Sequence, residues 1–389
     1  MMNHLVNPLR PDFRLGFIGG GQLARMSAYA AFRFGMQVVG YTGTGVPEPL
    51  SFSTPHIEKG GLNDPIALLR FAGACDVITL ENEFIDADVL LRVRDESGIP
   101  IYPSPESFRL ISDKITEKET FSRAGIPVVP FSRIADPAGI ITFAGEHGWP
   151  VILKSAKGGY DGYGNVTVNS EPDCEAAFRQ LGGHEGRELL AEAFIPFTKE
   201  LAVMVARNHL GTCVYPCVET IQENHICRTV IAPAPIGPEL RRQACELAVA
   251  ATEAIDGTGV FGFEFFLTGS GDILLNESAP RPHNSGHYTM EGCVTSQFEN
   301  HVRTVTGLHP GSSEMRRPAA VMVNLLGLAN GKTITRNTAE LMQTPDAHLH
   351  IYGKLLSKTG RKMGHITLLG DDINETITRA EKLARQIEL

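Results

Sequence analysis

Long apolar runs are missing from this sequence, and so is a basic segment followed by an apolar run near its first residue. The first absence argues against a membrane-spanning helix, and the second argues against a secretion signal. The seven cysteines are odd in number and scattered, and Cys213 and Cys217 lack a second pair of ligands at zinc-site spacing. We therefore expect no zinc site and no membrane partner, and we interpret the chain as a reduced, cytoplasmic enzyme.

An excess of positive charge is also missing. Lysine and arginine together number 35 against 44 aspartates and glutamates, which gives a formal net charge of -9. This balance argues against general nucleic-acid binding, although one cationic pocket can exist within an acidic average. The sequence has no low-complexity segment and no internal repeat, and 42% of its 389 residues are hydrophobic. Length and composition therefore predict a globular protein of two or three domains.

The N-terminal part alternates strand and helix signals, which is the pattern of a parallel sheet. Apolar runs predict strands at residues 15–18, 37–41, 77–80 and 99–102, with helices beginning near Gln22, Asp64 and Asp86. Residues 102–107 contain two prolines and two serines, which indicates a turn or linker before a helix over residues 113–124.

From residue 127 to residue 277 the pattern changes to antiparallel strands and glycine loops, with helices over residues 173–181 and 238–255. A helix over residues 297–306 and strands over residues 319–326, 348–351 and 364–369 follow. The final segment is an amphipathic helix, which we expect to contribute packing rather than function. Its predicted apolar face consists of Ile373, Ile377, Ala380, Leu383, Ala384 and Ile387.

The stretch GFIGGGQLARM runs a short strand into three glycines and a helix. Gly19, Gly21 and Ala24 satisfy the spacing of a dinucleotide-binding fingerprint with alanine in the last place. That fingerprint also needs an acidic residue at the end of the second strand, where VVGYTGTG has none and the first acid is Glu48. The loop therefore predicts either an anion at a helix N-terminus or a tight turn without a ligand.

A second glycine-rich loop follows a strand that ends in Lys154, within VILKSAKGGYDGYGN. No lysine–hydroxyl pair follows its last glycine, so it is not a P-loop. Its glycines, at positions 158, 159, 162 and 164, are more than a plain hairpin needs and favour a lid that closes over phosphates. Asp161 in this lid would repel phosphate, which suggests a contact with a second substrate.

Two carboxylates are expected to face each other in VFGFEFFLTGSGDILLNESAPRPHNSGH. A turn centred between Ser270 and Gly271 places Glu264 opposite Glu277. With the Asn276 amide, this pair suits Mg²⁺, which takes few protein oxygens and completes its shell with phosphate and water. The alternative is that Glu264 faces solvent on the polar side of its strand.

Two groups of polar residues complete the pattern. Arg281, His283 and Asn284 follow the carboxylates in a proline-constrained loop and are suitable partners for a small oxyanion. Further along, YGKLLSKTGRKMGH concentrates four basic residues, Lys354, Lys358, Arg361 and Lys362. This basic segment is either an exposed hairpin or the cationic half of a site for a phosphorylated substrate.

The lysine-ended strand, the GGYDGYGN loop, the E…NE carboxylates and the R-P-H-N loop together resemble the ATP-grasp superfamily. GFIGGGQLARM, TLENEF, GGYDGYGN, NESAPRPHNSGHYT and YGK…GRKMGH resemble, in that order and over nearly the whole chain, the N5-carboxyaminoimidazole ribonucleotide synthetase family of purine biosynthesis. The resemblance implies an α/β and α+β protein with an ATP-grasp fold. It implies an N-terminal Rossmann-like (pre-ATP-grasp) parallel-sheet domain at 1–112, an ATP-grasp domain at 113–305, and a small C-terminal domain at 306–389 completing the substrate site.

The same resemblance implies a ligase that joins bicarbonate to the amine of 5-aminoimidazole ribonucleotide, splitting ATP to ADP and phosphate through carboxyphosphate. Glu264 and Glu277 are expected to hold Mg²⁺. The catalytic residues implied are Asp161, Arg281, His283 and Asn284, of which the last three would hold bicarbonate and carboxyphosphate. The implied ribonucleotide-binding residues are Gly21, Gln22, Leu23, Glu83, Asp161, Lys354, Arg361 and Lys362. The implied ATP-binding residues are Lys114, Lys154, Gly159, Tyr160, Asp161, Gly162, Tyr163, Gly164, Asn165, Glu192, Ala193, Phe194, Ile195, Glu200, Gln222, Asn276 and Glu277.

This sequence departs from the family pattern at two positions. Gln222 stands where relatives often have a histidine near the ribose, and His225 lies three residues away. Lys114 replaces an arginine of some relatives, which keeps the charge but loses bidentate geometry. The resemblance further implies a homodimer and transfer of the product to the mutase that follows in the pathway.

Three other functions remain open from the sequence. The nearest is another ATP-grasp ligase, such as a formate-dependent glycinamide ribonucleotide transformylase. A dinucleotide-dependent oxidoreductase would use the first glycine loop, and a non-catalytic nucleotide sensor would keep the fold without turnover.

Overall fold

The computed structural model describes residues 7–158 and 164–389. Its N-terminal part is a five-stranded parallel sheet in the order β3-β2-β1-β4-β5. The strands are β1 (Arg14–Ile18), β2 (Gln37–Thr42), β3 (Ile57–Lys59), β4 (Val77–Leu80) and β5 (Ile101–Tyr102), and the helices are α1 (Gln22–Arg33), α2 (Pro65–Ala72), α3 (Ala87–Ser97) and α4 (Pro105–Arg109).

The helix starts predicted in this part are confirmed. Asp64 and Asp86 are N-caps, and their carboxylates accept hydrogen bonds from the first backbone N–H groups of α2 and α3. The predicted strand over residues 99–102 is shorter in the structure, because Pro100 has no N–H and only Ile101 and Tyr102 pair with β4. The predicted linker over residues 102–107 becomes the start of α4, which Ser104 caps.

A four-stranded antiparallel sheet with the order β6-β9-β7-β8 follows. The helices and strands of this part of the chain are α5 (Lys114–Arg123), β6 (Phe131–Ile134), α6 (Pro137–His147), β7 (Val151–Ser155), β8 (Asn165–Val168), α7 (Cys174–Gln180) and β9 (Leu189–Ala193). The sequence reading missed α6, although Asp136 caps it and Pro137 occupies its first turn, a pair that marks a helix start.

The third sheet has nine strands in the order β15-β14-β10-β12-β13-β16-β20-β18, with β11 paired to β10. Its strands are β10 (Phe197–Asn208), β11 (Gly211–Val214), β12 (Val218–Glu223), β13 (Ile226–Ala232), β14 (Gly259–Thr268), β15 (Ile273–Ala279), β16 (Ala319–Leu326), β18 (Ala347–Ile351) and β20 (Lys362–Gly370). Short β17 (Gly331–Lys332) pairs separately with β19 (Leu356–Ser357). The associated helices are α8 (Pro238–Ala254), α9 (Thr289–Gly292), α10 (Gln297–Val305), α11 (Ala339–Gln343) and α12 (Ile373–Gln386).

The strands that follow residue 306 extend this same sheet, because β16 pairs with β13 of the preceding segment. On one face α8 packs against β10, β14 and β15, around buried Phe261, Phe263 and Phe265. On α12 the predicted apolar face is confirmed at Ala380, Leu383 and Ala384, whereas Ile373 and Ile377 are half-buried. Within residues 7–158 and 164–389, no helix has the length and apolar character needed to cross a membrane.

Candidate active site

A cavity of about 780 Å³ lies where the parallel sheet, the β14–β15 hairpin and the loop before β20 meet. The carboxyl ends of β1 and β4 contribute the residues that follow them, as is usual for ligand sites in parallel sheets. Twelve of the sequence-predicted site residues line this cavity: Gln22, Leu23, Glu83, Lys114, Glu264, Glu277, Arg281, His283, Asn284, Lys354, Arg361 and Lys362. Residues far apart in the sequence therefore line one cavity.

Other predicted residues lie elsewhere. Glu192 and Ala193 end β9, Phe194 and Ile195 follow it, Glu200 is on β10 and Gln222 is on β12. Lys154 is on β7, Asn165 begins β8 directly after Gly164, Asn276 is on β15, and Gly21 caps α1. In the described part of the chain, none of these residues lines the cavity. Gly159, Tyr160, Asp161, Gly162 and Tyr163 lie outside the described residues, so the predicted lid and the Asp161 contact remain predictions.

The hairpin places Glu264 directly opposite Glu277, as the sequence predicts. The turn differs from the prediction, because Leu267 pairs with Ile273 and the turn is centred on Ser270. The difference of one residue is absorbed by a β-bulge, in which Asn276 has no partner in the ladder of β14 and β15. The bulge thus restores the pairing of the two carboxylates.

The two carboxylates have opposite electrostatic environments. Burial, together with the neighbouring Glu277 and Glu200, raises the pKa of Glu264 to about 8. The Lys114 ammonium, whose Nζ lies 2.8 Å from an oxygen of Glu277, lowers the pKa of that carboxyl. Two buried carboxylates that face each other repel when both are ionised, so the pair favours a cation between them.

The donor set fits Mg²⁺. Asn276 Oδ1 is buried and has no hydrogen-bond partner within residues 7–158 and 164–389, and it belongs to the bulge between the two strands. Across the same described residues, no group of three or more histidine, cysteine, aspartate or glutamate side chains could hold a metal ion. Two carboxylates and one amide oxygen suit a hard cation that keeps positions for phosphate and water.

Helix α5 braces the hairpin through residues that the sequence reading missed. Besides the ion pair of Lys114, Glu117 accepts hydrogen bonds from Ser278 N at 2.7 Å and from Ser278 Oγ at 2.5 Å. Lys118 Nζ donates to the carbonyl oxygen of Asn276 at 3.0 Å. The three α5 residues have i, i+3, i+4 spacing, so they share one helix face. This spacing was the sequence signal that could have identified Glu117 and Lys118.

Arg281 and Glu83 form a bidentate ion pair across the cavity. Arg281 Nε lies 2.5 Å from Glu83 Oε2, and its Nη2 lies 2.8 Å from Glu83 Oε1. Burial alone would raise the pKa of Glu83, but the guanidinium keeps that pKa below its usual value. The resemblance assigned these residues to different substrates, whereas the structure pairs them with each other.

His283 is held as a neutral imidazole. Burial, assisted by Arg281 and Lys362, lowers its pKa to about 4. Its Nδ1 lies 2.8 Å from Ser285 Oγ and 3.7 Å from Glu264 Oε1. The Gln297 side chain accepts from the His283 backbone N–H at 3.0 Å and donates to its carbonyl at 2.7 Å, which fixes the loop.

The side-chain amide of Asn284 is engaged inside the protein. It exchanges two hydrogen bonds with the side-chain amide of Asn324 on β16, at 2.9 and 2.7 Å. Asn324 also donates to the carbonyl of Cys227 at 2.9 Å. Gln297 and Asn324 thus support the predicted oxyanion loop, and no motif in the sequence marked either of them.

At the first glycine loop, carboxylates of the chain itself accept the hydrogen bonds of backbone N–H groups. Glu48, the first acid after the second strand, accepts from Gly20 N at 3.0 Å and from Gly43 N at 3.2 Å. Glu81 accepts from Leu23 N at 3.4 Å in the first turn of α1. Burial raises the pKa of Glu81 to about 7 despite nearby Arg281. These carboxylates argue against a phosphate bound directly at this loop.

The basic segment before β20 faces the cavity rather than only solvent. Lys354 is half-buried above the Tyr352 ring, and its Nζ donates to the Lys362 carbonyl at 2.7 Å. Arg361 Nη1 donates to the Leu356 carbonyl at 3.0 Å. Lys358 lines the cavity as well. This arrangement favours the hypothesis that the basic segment binds a phosphorylated substrate over the hypothesis that it is an exposed hairpin.

The Gln222 and His225 alternatives occupy different environments. Gln222 hydrogen-bonds the Glu200 side chain, whose pKa is raised mainly by burial. His225 is exposed and has a positive φ of 63° in the turn between β12 and β13. The geometry therefore favours Gln222 for the position near Glu200.

Three family models match the chain. They are described as the ribonucleotide synthetase preATP-grasp domain over residues 13–112, the ATP-grasp domain over 119–298, and the phosphoribosylaminoimidazole carboxylase C-terminal domain over 320–379.

Curated relatives match over nearly the full chain. It is 41% identical over 382 residues to the phosphoribosylaminoimidazole carboxylase of Ogataea methanolica, covering 96% of this chain and 69% of the relative. It is 38% identical over 385 residues to the N5-carboxyaminoimidazole ribonucleotide synthase of Synechococcus elongatus, covering 97% and 95%.

Solved structures agree with these matches. A carboxyaminoimidazole ribonucleotide synthase from Aspergillus clavatus, complexed with ATP, has a TM-score of 0.87 at 36% identity, with 96% and 98% of the chains covered. A structure of the enzyme from that organism with ADP and 5-aminoimidazole ribonucleotide has a TM-score of 0.86 at 35% identity, with the same coverage. The predicted fold class, an ATP-grasp fold with a parallel-sheet N-terminal domain and a small C-terminal domain, is confirmed.

Proposed function

The chain belongs to the N5-carboxyaminoimidazole ribonucleotide synthase family, and from this premise we propose how its cavity performs the reaction. The enzyme carboxylates 5-aminoimidazole ribonucleotide with bicarbonate and splits ATP in purine biosynthesis. The observation that carries the site assignment is the convergence of the carboxylate pair, the Arg281–His283 loop and the basic segment on one cavity.

We assign Mg²⁺ to Glu264, Glu277 and the orphaned Asn276 Oδ1, because their oxygens fit that ion. When bound, the ion neutralises phosphate charge as a Lewis acid. Lys114 and Lys154 would hold the triphosphate of ATP. Its adenosine would lie along residues 192–195, with Glu200 and Gln222 at the ribose. The described residues Gly164 and Asn165 would belong to the loop over the phosphates, together with residues 159–163.

Arg281 and neutral His283 would hold bicarbonate beside the carboxylates, where the guanidinium supplies a fixed positive charge. Since bicarbonate is a poor electrophile, one of its oxygens would first attack the γ-phosphorus of ATP, which gives carboxyphosphate and releases ADP. The substrate amine would then take the carboxyl group as inorganic phosphate leaves, and the leaving phosphate would accept the amine proton. Asn284 would shape this pocket through Asn324, since both ends of its amide are already bonded. Asp161 would orient the substrate amine.

Lys354, Arg361 and Lys362 would bind the phosphate of the ribonucleotide, and Gly21, Gln22, Leu23 and Glu83 would contact its sugar side. The carboxylates at the glycine loop support this orientation, because they leave the basic segment as the anion-binding end of the cavity.

The direct test is ADP release by the purified protein with ATP and Mg²⁺. We expect release to require both 5-aminoimidazole ribonucleotide and bicarbonate. Release with glycinamide ribonucleotide and formate instead would identify the transformylase alternative. Release that is independent of any ribonucleotide would overturn the substrate assignment.

Four further properties are proposed. The segments 1–112, 113–305 and 306–389 are proposed as domains, since each contains one family-model match. A homodimer, transfer of product to the mutase, and a cytoplasmic location follow from the family resemblance. Sedimentation velocity tests the dimer, a coupled assay with the mutase and a competing trap tests the transfer, and cell fractionation tests the location.

A further inference from the structure

Lys118 is a buried ammonium that the roles proposed so far leave unexplained. Its side chain is 2% exposed, and it does not line the cavity in the described part of the chain. A buried charge of this kind is costly and persists only where partners compensate it. Its two partners, Glu192 and Asn276, belong to different sheets.

The first partner is the β-bulge. A bulged residue loses its place in the hydrogen-bond ladder, so its backbone polar groups need other partners. Lys118 Nζ supplies one for the carbonyl of Asn276 at 3.0 Å. This bond holds Asn276 in place next to Glu277. The side-chain Oδ1 of Asn276 has no hydrogen-bond partner among the described residues.

The second partner is the carboxylate at the end of β9. Lys118 Nζ lies 3.0 Å from Glu192 Oε1, and Lys154 Nζ lies 2.7 Å from Glu192 Oε2. The three charges form a buried triad in which Glu192 is 3% exposed. Lys118 therefore joins β9, proposed as the nucleotide side, to the bulge, proposed as the metal side.

We propose that Lys118 is a positioning residue that sets the Asn276 bulge and thereby the affinity of the site for its divalent cation in the presence of nucleotide. It touches neither the cation nor the substrates, and it acts through the backbone of Asn276. The inference rests on the proposed assignment of the metal to this hairpin, and it is independent of which ribonucleotide is carboxylated.

The test uses Mn²⁺ as a spectroscopic probe of the Mg²⁺ site, since both ions accept octahedral oxygen ligands. Mn²⁺ is titrated into the full-length protein in the presence of ADP and the absence of ribonucleotide. Electron paramagnetic resonance then measures the concentration of free Mn²⁺. For Lys118→Met we expect the apparent dissociation constant of Mn²⁺ to rise by about tenfold or more, the effect of losing a charge-assisted hydrogen bond. Lys118→Arg restores a donor for both partners and should recover most of the affinity.

Arg207 offers a control with the same kinds of partner at a more exposed position. Its Nη1 donates to Asp256 Oδ1 at 3.1 Å and to the Gly257 carbonyl at 2.9 Å, so it also joins a carboxylate to a backbone carbonyl. Arg207→Met should lower the melting temperature but leave Mn²⁺ affinity unchanged. If Lys118→Met does not fold, Lys118→Gln carries the same test, because its neutral amide can still donate one hydrogen bond.

Unchanged Mn²⁺ affinity in a folded Lys118 variant overturns the proposal, as does an equal loss of affinity in Arg207→Met. Failure of the wild-type protein to carboxylate 5-aminoimidazole ribonucleotide would overturn the proposed substrate but not this inference. In steady state, the variant should need more Mg²⁺ for half-maximal rate at an unchanged KM for the ribonucleotide.

Discussion

At the scale of single residues, the site is governed by charges that compensate one another across the cavity. Arg281 pairs with Glu83 and Lys114 pairs with Glu277. Glu81 is the contrasting case, because burial raises the pKa of its carboxyl to about 7. A chemically similar side chain would not reproduce the hydrogen-bond geometry of these groups. Conservative substitutions are therefore informative here.

Arg281→Lys tests the bidentate pair. A lysine keeps the charge but cannot make two parallel hydrogen bonds to Glu83. Its ammonium group is therefore not held where the guanidinium of Arg281 lies. We expect kcat/KM for bicarbonate to fall by about a hundredfold, which corresponds to about 2.7 kcal/mol. Steady-state ADP release measures this, and calorimetry with ADP should show nearly unchanged nucleotide binding. Wild-type turnover in this variant would contradict the role given to Arg281.

Glu81→Gln tests the titration of the glycine-loop carboxyl. Its pKa is about 7 in the folded protein against an ordinary value of 4.5, so the folded state holds an extra proton between these pH values. The wild-type protein therefore loses stability as pH rises from about 4.5 to about 7, by about 3 kcal/mol at most relative to the variant. Urea unfolding of both ligand-free proteins near pH 5 and pH 8 measures the difference. Parallel pH profiles would show that Glu81 titrates normally.

At the scale of secondary-structure elements, the hairpin β14–β15 and the loop after it depend on close packing. A Cβ built at Gly262 of β14 would lie 2.7 Å from the Cβ of His283, so only glycine allows this loop to approach the strand. The β-bulge at Asn276 and the α5 contacts then fix the opposite strand. The site is thus shaped by backbone proximity as much as by side-chain chemistry.

Gly262→Ala should displace His283 and lower kcat by about tenfold or more, while overpacking costs about 1 to 3 kcal/mol of stability. Gly145 in α6 is the matched control, because a Cβ there meets no described atom within 4 Å. Gly145→Ala should be neutral or stabilising by about 1 kcal/mol, since alanine favours a helix. Thermal melts and ADP release separate the two effects. Equal activities in both variants would remove the packing argument.

Local patterns predicted the elements better than they predicted the contacts between them. The facing of Glu264 and Glu277 was predicted from a turn position that differs from the real one by one residue, and the pairing is present because the bulge at Asn276 compensates for that difference. The bulge at Asn276 could not be predicted, since it depends on Lys118 of α5, 158 residues away in the sequence. The Asn284–Asn324 pair had no signal, because the two residues are 40 positions apart and the loop of Asn284 reaches β16 only in the assembled fold.

At the scale of the whole molecule, α10 connects the parallel sheet to the nine-stranded sheet. His301 of α10 is fully buried, its Nε2 lies 2.9 Å from Thr79 Oγ1 of β4, and its Nδ1 accepts from Val260 N of β14 at 3.2 Å. Accepting that bond requires Nδ1 to be unprotonated, so the imidazole is neutral. Burial lowers the pKa of His301 to about 3.

His301→Gln tests whether this connection makes the fold sensitive to acid. Unfolded histidine takes up a proton below about pH 6.5, whereas folded His301 does not until about pH 3, so wild-type stability falls as pH decreases through that interval. Relative to the variant, the loss should reach about 2 kcal/mol between pH 7 and pH 5. Chemical denaturation at both pH values measures it. A pH-independent difference would show that His301 does not titrate as a buried group.

The fold class and the main motifs were predictable from the sequence because each motif occupies a short, continuous segment. The partners of Arg281 and of the glycine loop were not predictable, because Glu83 and Glu48 reach them only once the sheets are assembled. The roles of all the predicted site residues remain predictions, and residues 159–163, with Asp161, lie outside the described part of the chain.

The pairing of β13 with β16 has a consequence for how the chain is made. During translation, β12 and β13 are complete long before residues 319–326 leave the ribosome. Until then, β13 presents an open strand edge carrying Val230 and Ile231, which are buried in the finished protein. Open apolar edges are templates for association with other chains. Association at this edge therefore competes with folding until β16 is synthesised and pairs with β13.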